Sequence, residues 1–327
     1  MASVGGSQEP QNGQNFFEIK TETITALDNK MDIVYAEAGP KDGGIVIAVH
    51  GAPATHKMFK KMAEPLVEKG YRIIVPNLPG MGWTPLPESG CYNHTPRHKA
   101  EVIAGLIAAL DIKEILMICG HSMGVHVVVH LAALPSVINI CRSVCFLSGP
   151  GVTPHKRVTP WWFYKSASYL YYWMANIPLL GTGVVYATDP FFTAVGMRGK
   201  TKMSQVYSLY EVALFEWEEF TDDLSKLHDH GMGALVVHGD NDWFIQLEIA
   251  EDNARRLGVL PENTVWYKDG EKSEDDIKDD VLKRAMFVEG GDHFIFMKEI
   301  NILSHEQLSL LRALEKRKKS MSEGEES

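Results

Sequence analysis

The sequence predicts an α/β protein: a mostly parallel twisted sheet with helices on both faces. Three observations predict it. Apolar runs of strand length, such as residues 43–49, 71–75, 114–119 and 235–238, each end in a turn rich in Gly, Pro or Asp. Helix-length stretches follow most of these runs, which is the alternation that builds a parallel sheet. The chain has 327 residues and is 45% hydrophobic, enough for one large core with an insertion.

Residues 1–15 are polar and rich in Gly, Gln and Ser, with no apolar stretch of the signal-peptide kind. They read as a disordered tail, and the chain as cytoplasmic. Residues 16–27 and 32–38 suggest an opening antiparallel hairpin. Candidate helices are 58–69, 95–110, 125–134, 246–257 and 304–316. The core is expected to comprise 16–150 and 232–313, with 314–327 a charged tail. The run Lys316-Arg317-Lys318-Lys319 suits a helix C-terminus. The acidic stretch 269–280 reads as a solvent-exposed insertion, and no internal repeat is present. A net charge of −10 argues against a nucleic-acid partner. The four cysteines, at 91, 119, 141 and 145, form no Cys-x-x-Cys pair and read as thiols in a reducing compartment.

The pentapeptide Gly120-His121-Ser122-Met123-Gly124 carries the chemistry. An apolar strand precedes it and an apolar helix follows it, ended by Pro135. Strand, sharp turn and helix form the setting of a nucleophile elbow. The turn strains the serine backbone, so its flanks must be small. The serine then projects at a helix N-terminus, where free N–H groups can meet a developing negative charge.

Four segments together resemble the α/β-hydrolase superfamily. They are 43–51, ending in His50-Gly51; 71–82, with the exit Pro79-Gly80-Met81-Gly82; the serine elbow; and the pair 235–242 with 289–294. They span roughly 16–310 in family order. The resemblance implies the α/β-hydrolase fold and the chain order nucleophile, acid, base. Ser122, Asp242 and His293 fit that order. Asp240 shares the turn with Asp242; the family pattern Gly-x-x-Asp favours Asp242 and makes Asp240 a turn residue. The family's other acid position, after the strand ending near Ser148, holds no carboxylate. Backbone N–H groups of Met123 and Ala52 are the expected oxyanion donors; Pro53 has none to give. His50-Gly51-Ala52-Pro53 resembles the His-Gly-x-Pro turn of epoxide hydrolases. Those enzymes and the haloalkane dehalogenases use an aspartate where this chain has Ser122, so both reactions are set aside.

Other histidines are decoys. His50 and His121 read as loop-orienting residues. His126 and His130 stand at i, i+4, a spacing open to a metal, but no third ligand accompanies them. Neither a metal nor an organic cofactor is expected.

Residues 151–231 break the alternation and fall where the superfamily inserts a helical lid. Sixteen of the chain's 31 Phe, Trp and Tyr residues lie between 155 and 220. Residues 166–188 carry no formal charge, but Asn176, Pro178, Gly181 and Gly183 interrupt any membrane span. The reading is a lid whose apolar face roofs the serine, with Trp161, Trp162, Tyr172 and Trp173 as pocket candidates. A lid that also makes transient contact with a membrane surface is the second reading. The expected function is a serine hydrolase of the carboxylesterase or lipase kind, cleaving a lipophilic ester or thioester; Gly-His-Ser-Met-Gly with a lid is similar to monoacylglycerol lipases. A carbon–carbon hydrolase using the same triad and a non-catalytic binding protein are the alternatives.

Overall fold

A computed structural model describes residues 16–87, 91–178, 180–194, 199–272 and 280–325. The predicted N-terminal tail and most of the acidic stretch lie outside the described residues.

Ten strands form one sheet: β1 (Glu18–Ala26), β2 (Asn29–Ala38), β3 (Ile45–Val49), β4 (Arg72–Pro76), β5 (Met117–His121), β6 (Ser143–Leu147), β7 (Gly233–Gly239), β8 (Thr264–Lys268), β9 (Glu271–Lys272) and β10 (Lys283–Val288). Their spatial order is β1-β2-β4-β3-β5-β6-β7-β10-β8-β9. The run from β4 to β8 is parallel throughout, while β1, β2 and β9 pair antiparallel at the two ends. Leu27 and Asp28 take φ of 52° and 59°, a turn whose twist suits a two-residue hairpin between β1 and β2. Strands β5, β6 and β7 are buried along their whole length, which explains their unbroken apolar sequence. Strand β5 begins later than the sequence suggests, because Ile115 makes only a single bridge to Cys141. It ends at His121, directly before Ser122.

The helices are α1 (Lys60–Glu68), α2 (Pro96–Ala109), α3 (Gly124–Ala133), α4 (Trp161–Ala175), α5 (Leu180–Ala194), α6 (Lys202–Ala213), α7 (Trp217–Asp229), α8 (Leu247–Leu257), α9 (Ile295–Lys298) and α10 (Ile300–Glu325). One face of the sheet packs on α2, α3, α7 and α8 through Ile103, Val128, Leu224 and Ala254, among others. The other face packs on α1 and α10 through Met62, Leu66, Leu303 and Leu311. Burial of both faces makes this a doubly covered α/β sheet rather than a half-solvated one.

Helices α4–α7 form the segment expected of the lid. Helix α7 has a second role. Its Phe220, Leu224 and Leu227 belong to the core cluster, and it carries the chain from the end of β6 back to the start of the parallel strand β7. No helix among the described residues is long and apolar enough to cross a membrane. At the C-terminus the structure differs from expectation. Helix α10 runs to Glu325 rather than ending near Lys316, so the charged stretch is helical. Its Glu, Lys and Arg residues are good helix formers with no proline among them.

Candidate active site

Ser122 sits between β5 and α3 with φ of +52°. A side chain in this left-handed region is strained, and tight packing holds it there. A Cβ on Gly124 would lie 2.4 Å from the Val49 carbonyl oxygen, and one on Gly120 would lie 2.8 Å from that of Gly124. Both glycines are therefore required by close backbone approach. The Ser122 N–H donates to Leu147 O at 2.9 Å, which ties the elbow to β6. The serine is half-buried and lines a cavity of about 440 Å³.

His293 follows β10 and lines the same cavity. Its Nδ1 is 2.7 Å from Asp242 Oδ2. The other oxygen of Asp242 accepts the N–H groups of Phe244 (2.7 Å) and Ile245 (3.0 Å). Burial penalises this carboxylate, but the hydrogen bond to His293, the charge of that ring and the Ile245 amide outweigh it and hold its pKa below the usual aspartate range. Asp240 does different work: its Oδ1 accepts the Gly290 N–H at 2.6 Å, a loop contact. No hydrogen bond joins Ser122 to His293 among the described residues; the cavity brings them together.

Two buried histidines hold the surrounding loops. The His121 Nε2–H donates to the His293 carbonyl at 3.0 Å, and burial beside His293 lowers the His121 pKa to about 3, keeping it neutral. His50 Nε2 accepts the Leu78 N–H at 3.1 Å, so its proton sits on Nδ1, which donates to Gly51 O at 2.7 Å. Gly51 O also accepts the Ala54 N–H. In a trans peptide the N–H points opposite the carbonyl, so these contacts turn the Ala52 N–H away from His50. Ala52 and Met123 both line the cavity. Neither amide donates to an acceptor among the described residues, leaving both available to an anion.

The structure corrects the expected pocket. Trp161, Trp162, Tyr172 and Trp173 do not line the cavity. Helix α4 has aromatics on two opposite faces. Trp161 packs inward on Trp217, in a cluster with Met123, Val158, Val212 and Phe215, and Tyr172 stacks on Tyr210 at 3.9 Å, so both serve packing between the lid and the core. Trp162 and Trp173 are 70% and 64% exposed. The lid contributes Arg157, Tyr164, Val212 and Phe215 to the cavity instead, and the Asp242 loop adds Trp243 and Phe244. The adjacency of Trp243 and Phe244 to Asp242 was a usable signal; Val212 and Phe215 had none in the sequence. Arg157 stacks over the Trp243 ring at 3.7 Å and donates Nε–H to its carbonyl. His126 and His130 are buried structural residues. His126 lies between the rings of Phe215 and Phe220, each 4.0 Å away, and His130 pairs with Asp223 at 2.8 Å.

A family model described as "Alpha/beta hydrolase of unknown function (DUF1057)" matches residues 14–304. The chain belongs to this α/β-hydrolase family. Among curated relatives, it is 27% identical to the uncharacterized protein F35H12.5 of Caenorhabditis elegans over 72% of this chain and 66% of that one. It is 26% identical to a non-heme chloroperoxidase of Streptomyces lividans over 72% and 87%. A haloalkane dehalogenase of Psychrobacter cryohalolentis matches at 29%, over 28% of this chain and 30% of that protein. The first curated relatives are thus matched over less than two thirds of their own length. Similar solved folds include an esterase of Thermogutta terrifontis (TM-score 0.63, 18% identity, 91% and 99% covered). Another is an esterase of Exiguobacterium antarcticum (0.61, 19%, 89% and 98%). These hydrolase-family neighbours include esterases, lipases and dehalogenases, so the fold alone leaves the substrate open.

Proposed function

We propose that the protein is a serine hydrolase that cleaves a lipophilic carboxylic ester or thioester. The observation that carries this is the Asp242–His293 contact of 2.7 Å beside a positive-φ serine in one cavity. The hydroxyl of Ser122 adds to the substrate carbonyl while His293 Nε2 accepts its proton. Asp242 fixes the Nδ1–H tautomer and stabilises the imidazolium. The amides of Ala52 and Met123 hold the oxyanion. Collapse expels the alcohol or thiol, which takes the proton from His293. Water, deprotonated by His293, then adds to the acyl-serine, and the carboxylic acid leaves as Ser122 regains its proton.

A hydroxyl at position 122 favours this over dehalogenation, which needs a carboxylate nucleophile. The cavity walls formed by Val212, Phe215, Phe244 and Met297 favour an apolar acyl chain. The test is Ser122→Ala against the parent, with p-nitrophenyl esters of increasing chain length and a fluorophosphonate probe. The parent hydrolyses and is labelled; the variant loses labelling and at least about 10³-fold in turnover while keeping its unfolding midpoint. A parent that is neither labelled nor active on any ester overturns the proposal. Phe215→Ala should shift the preferred chain length.

A further inference from the structure

The outer face of α4 is an apolar surface that the fold does not cover. Its inward stripe is Trp161, Tyr164, Ser168, Tyr172 and Ala175, spaced three or four apart. Turned outward are Trp162, Phe163, Tyr169, Leu170 and Trp173, all exposed. On the neighbouring helix α5, Tyr186 is exposed as well. Scattered exposed apolar residues are ordinary, but a face repeated over three helical turns marks an interaction surface.

Charge distinguishes the partners. The whole chain has a net charge of −10, yet residues 151–213 contain six Lys or Arg and only two acids, Asp189 and Glu211. Both acids are engaged: Asp189 pairs with Lys202 at 2.8 Å, and Glu211 is buried against Lys99 of α2. Lys165, on α4 itself, and Lys156, in the short turn that precedes it, are exposed. The acids that follow from Glu216 onward belong to α7 and the turn before it. Residues 151–213 are thus a cationic, aromatic stretch on an acidic protein. Two copies joined through it would bring like charges together, whereas an anionic lipid surface attracts it. Trp and Tyr suit the headgroup level of a bilayer, and lysine stems reach out to lipid phosphates.

We propose that the outer face of α4 docks the protein on an anionic phospholipid membrane. The opposite face of the same helix supplies Tyr164 to the cavity wall. Membrane and cavity are then separated by one helix, about 10 Å. A lipophilic substrate would have a short path from the bilayer. This path rests on the hydrolase reading; the docking does not.

The experiment is co-sedimentation of the full chain with vesicles of phosphatidylcholine, with and without phosphatidylserine, in the absence of substrate. The protein should sediment with the phosphatidylserine vesicles, and less so at high salt. Trp162→Ser/Trp173→Ser should weaken partitioning by at least about tenfold, because it removes apolar area that enters the interface. Lys156→Gln/Lys165→Gln should weaken it by about tenfold or more on phosphatidylserine alone. Unfolding midpoints equal to the parent's confirm intact variants. Three results overturn the proposal. The parent binds neither vesicle; the tryptophan variant binds like the parent; or sedimentation equilibrium finds a dimer that this variant dissociates. Ester hydrolysis enters none of these readouts, so failure here is separable from failure of the proposed reaction.

Discussion

His121 donates its Nε2–H to the main-chain carbonyl of His293 at 3.0 Å. The residue before the candidate nucleophile therefore holds the loop that carries the candidate base, 172 positions later in the chain. Their rings lie 4.9 Å apart, and the His121 ring also packs on Phe296 at 4.5 Å. One neutral imidazole thus ties the end of β5 to the loop that carries His293.

His121 is a positioning residue, and its removal should act on turnover more than on binding. His121→Phe keeps the aromatic packing and deletes the donor. The expected outcome is a fall in kcat of up to about 10²-fold with KM little changed, since small misplacements near the reacting atoms cost that much. His121→Gln, which restores an N–H donor, should recover part of the loss. Steady-state kinetics of the two variants decide it; equal kcat for His121→Phe and the parent would remove the role.

The two aspartates of the β7 turn should separate cleanly. In Asp242→Asn the amide oxygen can still accept from Phe244 and Ile245, but the amide nitrogen then faces His293 Nδ1 and forces the wrong tautomer. Turnover should fall by about 10⁴-fold. Asp240→Asn keeps an oxygen for the Gly290 N–H and should cost less than about tenfold. The reverse ranking of the two rates would assign the acid to Asp240.

Acid stability should depend on Glu306. This buried carboxylate of α10 accepts from Tyr267 Oη at 2.7 Å and pairs with Arg284 at 3.2 Å. Burial raises its pKa, but Tyr267, Arg284 and Lys272 outweigh burial and hold it below the ordinary glutamate value. The folded pKa lies below the unfolded one. Its stabilisation is therefore complete above the unfolded pKa and is lost as pH falls through the folded value. Glu306→Gln should destabilise the fold by about 3–5 kcal/mol at neutral pH, because Arg284 loses its buried partner. The gap to the parent should close under acid conditions. Urea unfolding of both proteins across this pH range measures it.

What was legible in the sequence was local. Gly120 and Gly124 announce the elbow because backbone atoms approach where a Cβ would sit, and no other residue meets that demand. Asp242 and His293 stand at strand ends, where apolar runs stop and turns begin, and the resemblance to the α/β-hydrolase chain order singled them out as candidates. The lid's inner face was not legible. Helix α4 is aromatic all round, and only the packing of α6 and α7 against it decides that Trp161 and Tyr172 turn in while Trp162 and Trp173 turn out. Val212 and Phe215 reach the cavity through that same tertiary choice. The C-terminal charges misled for a related reason: a strongly charged run is equally consistent with a tail and with an exposed helix, and α10 is helical to Glu325.

The route taken by the chain between β6 and β7 has an evolutionary meaning. The two strands are parallel neighbours, so their connection must return to the opposite end of the strands, and α7 performs that return. Everything between Gly149 and Glu216 is an excursion on top of it. Such a segment could be lengthened, shortened or swapped without disturbing the strand that delivers Asp242 where its buried tie to α2, Glu211 against Lys99, is kept. Descendants of one scaffold could then change what they admit, and what surface they sit on, while the bond-breaking apparatus stays fixed. A chimera carrying a different insertion between these two points, with a carboxylate kept against Lys99, should still fold, with its preference redirected.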